Sequence, residues 1–375
     1  MGLSISHWSR LYGKALGSAT LKLALHDFVV EEQLGFEPTG KGEHIFLWLE
    51  KTNLNTAFVA EALAKFSQLP LRDITYAGRK DKFALTRQWF GVHIANKQEP
   101  NWAEFELEGA RILDVTRNDR KLRVGVLKGN KFSIRLRDLQ NVDTEALEQR
   151  LEQIKQQGAP NYYGSQRFGE IRLTPNQTDS EQQKSLADHK PLADQKPLIA
   201  QKRQGGNLAL AEKLMEGEAI RNRNKRSVAI SALRSWLFNE VIHRRIEQDC
   251  FHHPMLGDAM QLSGSNSFFV FDDENEKAKM LARLAEFDIN ITAPLWGDGK
   301  LHTSDTAKEL ELACVTQHSN IIETLNALGL RQERRAIRIV PNEFTWQIED
   351  NDLTMQFSLP AGCFATSIVR ELLDV

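Results

Sequence analysis

The feature that most constrains the fold of this chain is a series of short strand-like segments near its beginning, interrupted by one helical segment. Between Asn55 and Leu69 the apolar residues fall near helical spacing, and Asn55 is the predicted N-cap. Four other segments have the β-branched and aromatic residues typical of strands: Asp27–Gln33, Ile45–Lys51, Asp73–Tyr76 and Gln88–Ile94. This order predicts mixed α and β structure, with the residues after Gly78 in a loop between two strands.

Similar patterns continue through the rest of the chain. Phe132, Ile134 and Leu136 alternate with polar residues, which indicates a half-buried strand. Amphipathic helices are predicted around Leu147–Ile154, from Ser227 to Val241, over Asn320–Leu328 and over Thr366–Leu373. Gly158 and the residues after it break the first of these helices and mark a predicted domain boundary.

Length and composition favour a globular protein of two domains. The chain has 375 residues, of which 41% are hydrophobic and 26% charged. No stretch approaches the ~18–20 continuous apolar residues of a membrane span, and the first residues lack the apolar core of a secretory signal. The three cysteines are scattered and odd in number, which predicts reduced thiols in the cytoplasm.

The net charge of −2 hides an uneven distribution of basic residues. From Arg117 to Arg137 eight Lys or Arg residues stand against one acid, and four of the six residues from Arg221 to Arg226 are basic. Each run alone is typical of a solvated face. Two such runs in a balanced chain are equally compatible with a surface that binds phosphate groups.

A six-residue near-repeat, KSLADH-KPLADQ-KPLIAQ, occupies Lys184–Gln201. Three polar copies are too few to bury a face in a solenoid. We therefore expect residues 170–204 to form an exposed, partly disordered insertion with no catalytic role.

The sequence offers no evident metal or cofactor site. Cys250, His252 and His253 crowd together, but adjacent histidines in an extended segment point in opposite directions, and no second ligand pair follows at zinc spacing. Walker-type and GxGxxG loops are absent from the sequence, and so is a GxSxG elbow. We expect neither a metal nor a cofactor.

The strongest candidate for chemistry is Asp81, which lies between Lys80 and Lys82 with Arg79 nearby. Positive neighbours favour the charged form of a carboxylate, and an ionised, fixed aspartate can act as a nucleophile or a general base. Judged on these few residues alone, an ordinary lysine-rich turn remains the alternative.

The sequence around Asp81, AGRKDKFALTRQW (77–89), resembles the signature of the TruD family of tRNA pseudouridine synthases. Further blocks resemble the same family in the same order: HDFVVEE (26–32), GKGEHIFLWLEK (40–51), LKGNKF (127–132), PNYYGSQRFG (160–169), RNRNKRS (221–227) and LPAGCFATSIVREL (359–372). The resemblance covers essentially the whole chain apart from the six-residue repeat.

The resemblance implies an activity and its central residue. Members of this family cleave the N-glycosidic bond of uridine 13 in tRNA, turn the base over and rejoin it to the sugar through carbon 5, without a cofactor. The catalytic carboxylate of the family corresponds to Asp81. Two mechanisms stay open, attack on the ribose C1′ and removal of the C2′ proton.

The resemblance also implies residues that bind the substrate. By motif position, four correspond to contacts with the nucleotide: Phe28, Asn130, Phe132 and Phe364. Five basic residues would contact the RNA near Asp81: Arg79, Lys80, Lys82, Lys128 and Arg167. A more distant group would contact it from the second domain: Arg221, Arg223, Lys225 and Arg226. Patterns alone favour core packing for Phe132 and Phe28, a turn for Asn130 and a helix-start contact for Phe364.

The fold implied is α+β with two domains. Residues 1–157 and 340–375 would form the catalytic domain on a mostly antiparallel or mixed sheet, and residues 158–339 an inserted α/β domain, with RNA in the cleft between them. The partner would be tRNA, with no membrane and no protein partner. A non-catalytic RNA chaperone is the alternative of another class. A methyltransferase would need a glycine-rich βα turn for its cofactor, which is absent from the sequence.

Overall fold

The computed structural model describes residues 3–94, 98–169 and 206–375, and their contacts divide the chain into two compact units. The sheet unit comprises the described parts of residues 16–148, with residues 341–365 and 373–375. The helical unit comprises the described parts of residues 1–15, 149–340 and 366–372. The insertion predicted at 170–204 lies outside the described residues. Within the described ranges, no helix is long and apolar enough to cross a membrane.

The sheet unit is built on a nine-stranded sheet. Its strands are β1 (Ser18–Leu21), β2 (Phe28–Leu34), β3 (His44–Thr52), β4 (Ile74–Tyr76), β5 (Leu85–His93), β6 (Ala110–Asn118), β7 (Leu127–Gln140), β14 (Asn342–Glu349) and β15 (Asp352–Pro360). The order is β14-β15-β7-β2-β5-β3-β6, with β1 paired to β7 and β4 to β5. Only β2 and β5 pair in parallel, so the predicted, mostly antiparallel sheet is confirmed.

Helix α1 (Thr56–Ser67) packs its apolar side on one face of this sheet. Val59 and Leu63 of the helix share a buried cluster with Leu47 and Leu49 of β3. Asn55 occupies the predicted N-cap position, although its side chain makes no capping hydrogen bond. Residues of this helix and of β3 contact the loop that carries Asp81.

Strand β5 begins at Leu85, three residues before the predicted start at Gln88. The earlier start has a tertiary cause, because Leu85, Thr86 and Arg87 pair in parallel with Val29–Glu31 of β2. The loop that contains Asp81 is thereby shortened to the residues between Tyr76 and Leu85.

The helical unit combines helices with two small sheets. Its helices are the C-terminal part of α2 (Thr144–Gln157), then α3 (Ser165–Phe168), α4 (Gly206–Met215), α5 (Arg223–Glu247), α6 (Lys277–Ala285), α7 (Asp305–Thr316), α8 (Ser319–Ala327) and most of α9 (Ala365–Leu372). One sheet has the order β10-β9-β11-β12, formed by β9 (Ala259–Leu262), β10 (Phe268–Val270), β11 (Ile289–Leu295) and β12 (Glu333–Ala336). The other pairs β8 (Ala159–Pro160) with β13 (Arg338–Ile339).

Gly158 ends α2 as predicted, and the structure shows why a glycine stands there. Its φ of 80° lies in the left-handed region. A Cβ atom at this position would also lie 2.5 Å from the Ile339 carbonyl oxygen. Both the turn and the close approach of β13 therefore require a residue without a side chain.

The division into units differs at both ends from the predicted boundaries. The described residues 3–15 and 366–372 group with the helical unit. The cause is hydrogen bonding within that unit: the backbone N–H of Leu11 donates to Glu371 Oε2 at 2.8 Å, and Trp8 Nε1 donates to Glu240 Oε1 at 2.6 Å. The catalytic and inserted roles of the two parts, and a cleft between them, stay predictions.

Candidate active site

The candidate site lies on the face of the sheet that α1 partly covers. Strand register places Lys51 opposite Thr86, Thr86 opposite Val30, Val30 opposite Phe132, and Phe132 opposite Phe357. Opposite residues point to the same face, and so do residues two apart. The same face therefore carries Phe28, Glu32, Gln88 and Asn130. Its polar residues Lys51, Glu32, Gln88 and Asn130 stand beside the apolar Val30, Phe28 and Phe132.

The loop that carries Asp81 is braced by a chain of three hydrogen bonds. The backbone N–H of Lys80 donates to Thr56 Oγ1 at 3.0 Å, and the Thr56 hydroxyl donates to Gln88 Oε1 at 2.9 Å. Gln88 Nε2 in turn donates to the carbonyl oxygen of Gly78 at 3.3 Å. Thr56 and Gln88 are buried, so both ends of the turn are tied to rigid elements.

Lys80 points inward and forms an ion pair with Glu32. Its Nζ lies 2.7 Å from Glu32 Oε1, and its side chain is 8% exposed. The second carboxylate oxygen of Glu32 accepts the backbone N–H of Trp89 at 3.0 Å. Burial raises the pKa of Glu32 above its ordinary value although Lys80 opposes the rise. Lys80 thus contacts the protein interior rather than the exposed surface.

Lys51 reaches the same loop from β3. Its side chain is fully buried, and its Nζ donates to the carbonyl oxygens of Leu54 at 2.8 Å and of Asp81 at 2.9 Å. Burial lowers the pKa of Lys51 to about 8, with Lys80 adding to the effect while Asp81 and Glu32 oppose it. The catalytic candidate is therefore held through its backbone by a buried cation.

The Asp81 side chain itself forms an ion pair with Lys22. Lys22 Nζ donates to Asp81 Oδ2 at 2.7 Å and also lies 4.1 Å from the centre of the Phe28 ring. Lys22 adopts a left-handed backbone conformation with φ of 60°. The Asp81 side chain is 37% exposed, against 14% for Lys22. The carboxylate is thus oriented yet accessible to a substrate.

Aromatic rings extend from this ion pair along the sheet. The Phe28 and Phe132 rings meet edge to face with centroids 6.4 Å apart, and Phe132 lies 5.6 Å from Phe357. Phe28 and Phe132 are 4% and 6% exposed. Both are therefore core residues as the pattern alone indicated, and Phe28 also borders the site through Lys22.

Asn130 lies between Glu32 and Leu359 in the strand register. Its Oδ1 is buried and accepts no hydrogen bond from any of the described residues. A buried acceptor without a donor costs free energy. Such an atom suits a site whose donor arrives with a ligand.

The remaining predicted residues lie nearer the surface. Arg79, Lys82 and Lys128 are exposed. Phe364 is half-buried and directly precedes α9, after a loop whose Ala361 N–H donates to the Lys128 carbonyl oxygen at 3.3 Å. That bond brings the beginning of the PAGCF segment to the end of β7 that carries Asn130.

Other predicted basic residues belong to the helical unit. Arg167 donates to Ser231 Oγ at 2.9 Å and stacks 5.1 Å from the centre of the Tyr163 ring. Four cations are exposed around the N-terminus of α5: Arg221, Arg223, Lys225 and Arg226.

Sequence reasoning missed Lys22, Lys51, Glu32, Thr56 and Gln88 as parts of the site. A signal was available for Glu32 and Lys51, because each stands at a core-facing position of an alternating strand, two residues from Val30 and Leu49 respectively. Lys22 offered no such signal, since its contact with Asp81 spans 59 residues.

Comparison with known proteins places these observations in a family. The sequence model described as tRNA pseudouridine synthase D (TruD) matches residues 14–177 and 213–372. The near-repeat lies in the gap between the two matched segments.

Curated relatives match over nearly full length. A tRNA pseudouridine synthase D of Pseudoalteromonas atlantica is 49% identical over 100% of this chain and 97% of its own. One of Aeromonas hydrophila is 41% identical over 97% of this chain and 93% of its own.

A solved structure extends the likeness to the fold. A Methanosarcina mazei protein described as a candidate tRNA pseudouridine synthase D superposes with a TM-score of 0.67 at 20% identity, covering 100% of this chain and 97% of that one. By the family match and the full-length relatives, the chain belongs to the tRNA pseudouridine synthase D (TruD) family.

Proposed function

We propose that this protein converts uridine 13 of tRNA to pseudouridine, with Asp81 as the essential carboxylate and without a cofactor. Family membership makes it a pseudouridine synthase, an isomerase. The observation that carries the role of Asp81 is its geometry: an accessible carboxylate, oriented by Lys22 at 2.7 Å, on a loop tied to the sheet. Such fixed placement is what a nucleophile or general base needs.

The reaction conserves all atoms of the nucleoside. In one route the Asp81 carboxylate attacks C1′, and the C1′–N1 electron pair leaves with the uracil. In the other route Asp81 removes the C2′ proton as the same bond breaks. In the first route C5 of the rotated base then bonds to C1′ and displaces the Asp81 carboxylate, and in the second C5 bonds to C1′ while Asp81 returns the proton to C2′. In both routes C5 finally loses its proton, to water or to Asp81, and N1 gains one.

The detached uracil has to stay in the site while it rotates. We assign the apolar walls of its pocket to Phe28, Phe132 and Phe364, because the Phe28 ring lies against Lys22 of the Lys22–Asp81 pair and contacts the Phe132 ring edge to face. Phe132 lacks the phenol that could accept a proton, so its contribution is contact with the base. We assign Asn130 Oδ1, which has no donor among the described residues, to an N–H group of the uracil edge.

The exposed cations suit the phosphate groups of the RNA. Arg79, Lys82 and Lys128 would contact the nucleotides near Asp81. Three cations stand in the first turn of α5, where no acidic residue balances them and the helix dipole adds further positive potential. Lys80, being buried against Glu32, would instead hold the loop.

The predicted cytoplasmic location and the prediction of no metal and no protein partner remain part of this proposal. The thiols of Cys250, Cys314 and Cys363 are compatible with a reducing compartment.

The proposal is tested by incubating the protein with unmodified tRNA transcript in the presence of a chelator and mapping pseudouridine along the RNA. We expect product at position 13 with wild-type protein, and a rate lower by at least about 1,000-fold with Asp81→Asn. Asp81→Asn should bind tRNA with nearly unchanged affinity, because one carboxylate makes no phosphate contact. Binding without product by the wild-type protein would favour the RNA chaperone, and product formed equally by Asp81→Ala would exclude Asp81.

A further inference from the structure

We propose that Lys51 is a positioning residue of the isomerisation, whose ammonium group holds the Asp81 backbone in the place that the chemistry requires. The inference rests on the function proposed above. Lys51 Nζ bridges two carbonyl oxygens, one at Leu54 before α1 and one at Asp81 itself. Lys51 therefore joins the catalytic loop to Leu54, just before α1. The hydrogen bond from the Lys80 N–H to the Thr56 hydroxyl joins the same loop to the first residue of that helix.

A lysine is an unusual choice for this position. The side chain is fully buried at the end of β3, where its register partners Thr86 and Ala110 carry no charge. Lysine is rarely buried unless it is paired, because the ammonium loses its hydration. An apolar residue would fill the same space more favourably, whereas only a donor can satisfy both carbonyl groups.

The charged groups that face Lys51 come from two elements. The loop contributes the Asp81 carboxylate and the Lys80 ammonium, and β2 contributes Glu32. Thr56, the first residue of α1, adds no charge. Asp81 and Glu32 stabilise the Lys51 ammonium, while Lys80 and burial oppose it.

This balance makes the bridge sensitive to pH. Because the pKa of Lys51 is lowered to about 8, the ammonium loses its proton just above neutral pH. The neutral amine donates weaker hydrogen bonds to the two carbonyl groups than the charged form does. The rate of isomerisation of bound tRNA should therefore fall as the pH rises through about 8.

The experiment measures the single-turnover rate at saturating unmodified tRNA from pH 6.5 to 9.5, with tRNA affinity measured separately. Lys51→Met keeps the length of the side chain and removes its donors, and Lys65→Met makes the same change at an exposed site on α1. We expect Lys51→Met to lower the rate about 100-fold at pH 7 with the dissociation constant for tRNA within about twofold of wild type. Its rate should no longer fall near pH 8, while Lys65→Met should follow the wild-type profile.

Several outcomes would overturn the role of Lys51. These are a wild-type rate that is level from pH 7 to 9, a Lys51→Met rate equal to wild type, and a Lys51→Met profile that falls as the wild-type profile does. If Lys51→Met does not fold, the dependence of the single-turnover rate on pH in the wild-type protein and Lys65→Met is decisive. A fall in rate centred near pH 8 supports the proposal, and a rate that does not change with pH contradicts it. Absence of product with wild-type protein would instead contradict the proposed function itself.

Discussion

The buried charge of Lys51 lowers the free energy of unfolding of this protein. Its pKa in the folded protein is about 8, below the ordinary 10.5. Between these two values the unfolded chain binds more protons than the folded one, so the free energy of unfolding rises with pH in this window. Below pH 8 the lowered pKa of Lys51 reduces the free energy of unfolding by about 3 kcal/mol, because each pH unit of pKa shift corresponds to about 1.4 kcal/mol.

The free energy of unfolding of the wild-type protein should therefore rise relative to that of Lys51→Met by about 2 kcal/mol between pH 8 and pH 9.5. Taking the difference between the two proteins removes the contributions of titrating groups that do not interact with Lys51. Urea unfolding at the two pH values measures it. If the free energy of unfolding changes equally with pH in the two proteins, the pKa of Lys51 is not lowered.

At the scale of elements, the hydroxyl of Thr56 couples helix α1 to the catalytic loop. Thr56→Val keeps the shape of the side chain but leaves the Lys80 N–H and the Gln88 Oε1 without their shared partner. We expect a loss of about 1–3 kcal/mol in the free energy of unfolding. We also expect a turnover rate at least about tenfold lower, because the loop is less firmly placed.

Urea unfolding and single-turnover kinetics test this prediction. Thr316→Val is the matched control, since among the described residues its hydroxyl makes only an exposed bond to the Leu312 carbonyl within α7. That variant should stay within about 0.5 kcal/mol of wild type. Wild-type kinetics in Thr56→Val would mean that the brace does not position Asp81.

Individual strands and turns show which structure the periodicity of the sequence predicts and which it does not. Strand alternation predicted that Phe132 lies in a half-buried strand, and the turn at Gly158 was predicted from composition. The start of β5 at Leu85 was not predictable in the same way, because it depends on parallel pairing with β2, more than fifty residues away. Long-range pairing leaves no mark in a local window of sequence.

At the scale of the whole molecule, tRNA binding should depend on the exposed cations at the N-terminus of α5. Replacing Arg223 and Lys225 by Ala should weaken binding to all tRNA sequences alike and reduce the slope of log affinity against log salt by roughly 2. Filter binding over a range of salt concentrations measures the slope. Lys277 and Lys279 of α6 serve as controls, because each is paired with a glutamate just before that helix. An unchanged slope in the Arg223 and Lys225 double variant would contradict a phosphate contact there.

The sequence by itself determined the family, the mixed α and β architecture and Asp81 as the candidate carboxylate, because ordered motifs and short-range periodicity are properties of the chain. Only the tertiary structure brought Lys22, Lys51 and Glu32 around the Asp81 loop. It also turned Lys80 inward, although its neighbours Arg79 and Lys82 are exposed. Whether a lysine faces solvent or pairs with a buried carboxylate depends on what the fold places beside it, and for Lys80 that partner is Glu32 of β2.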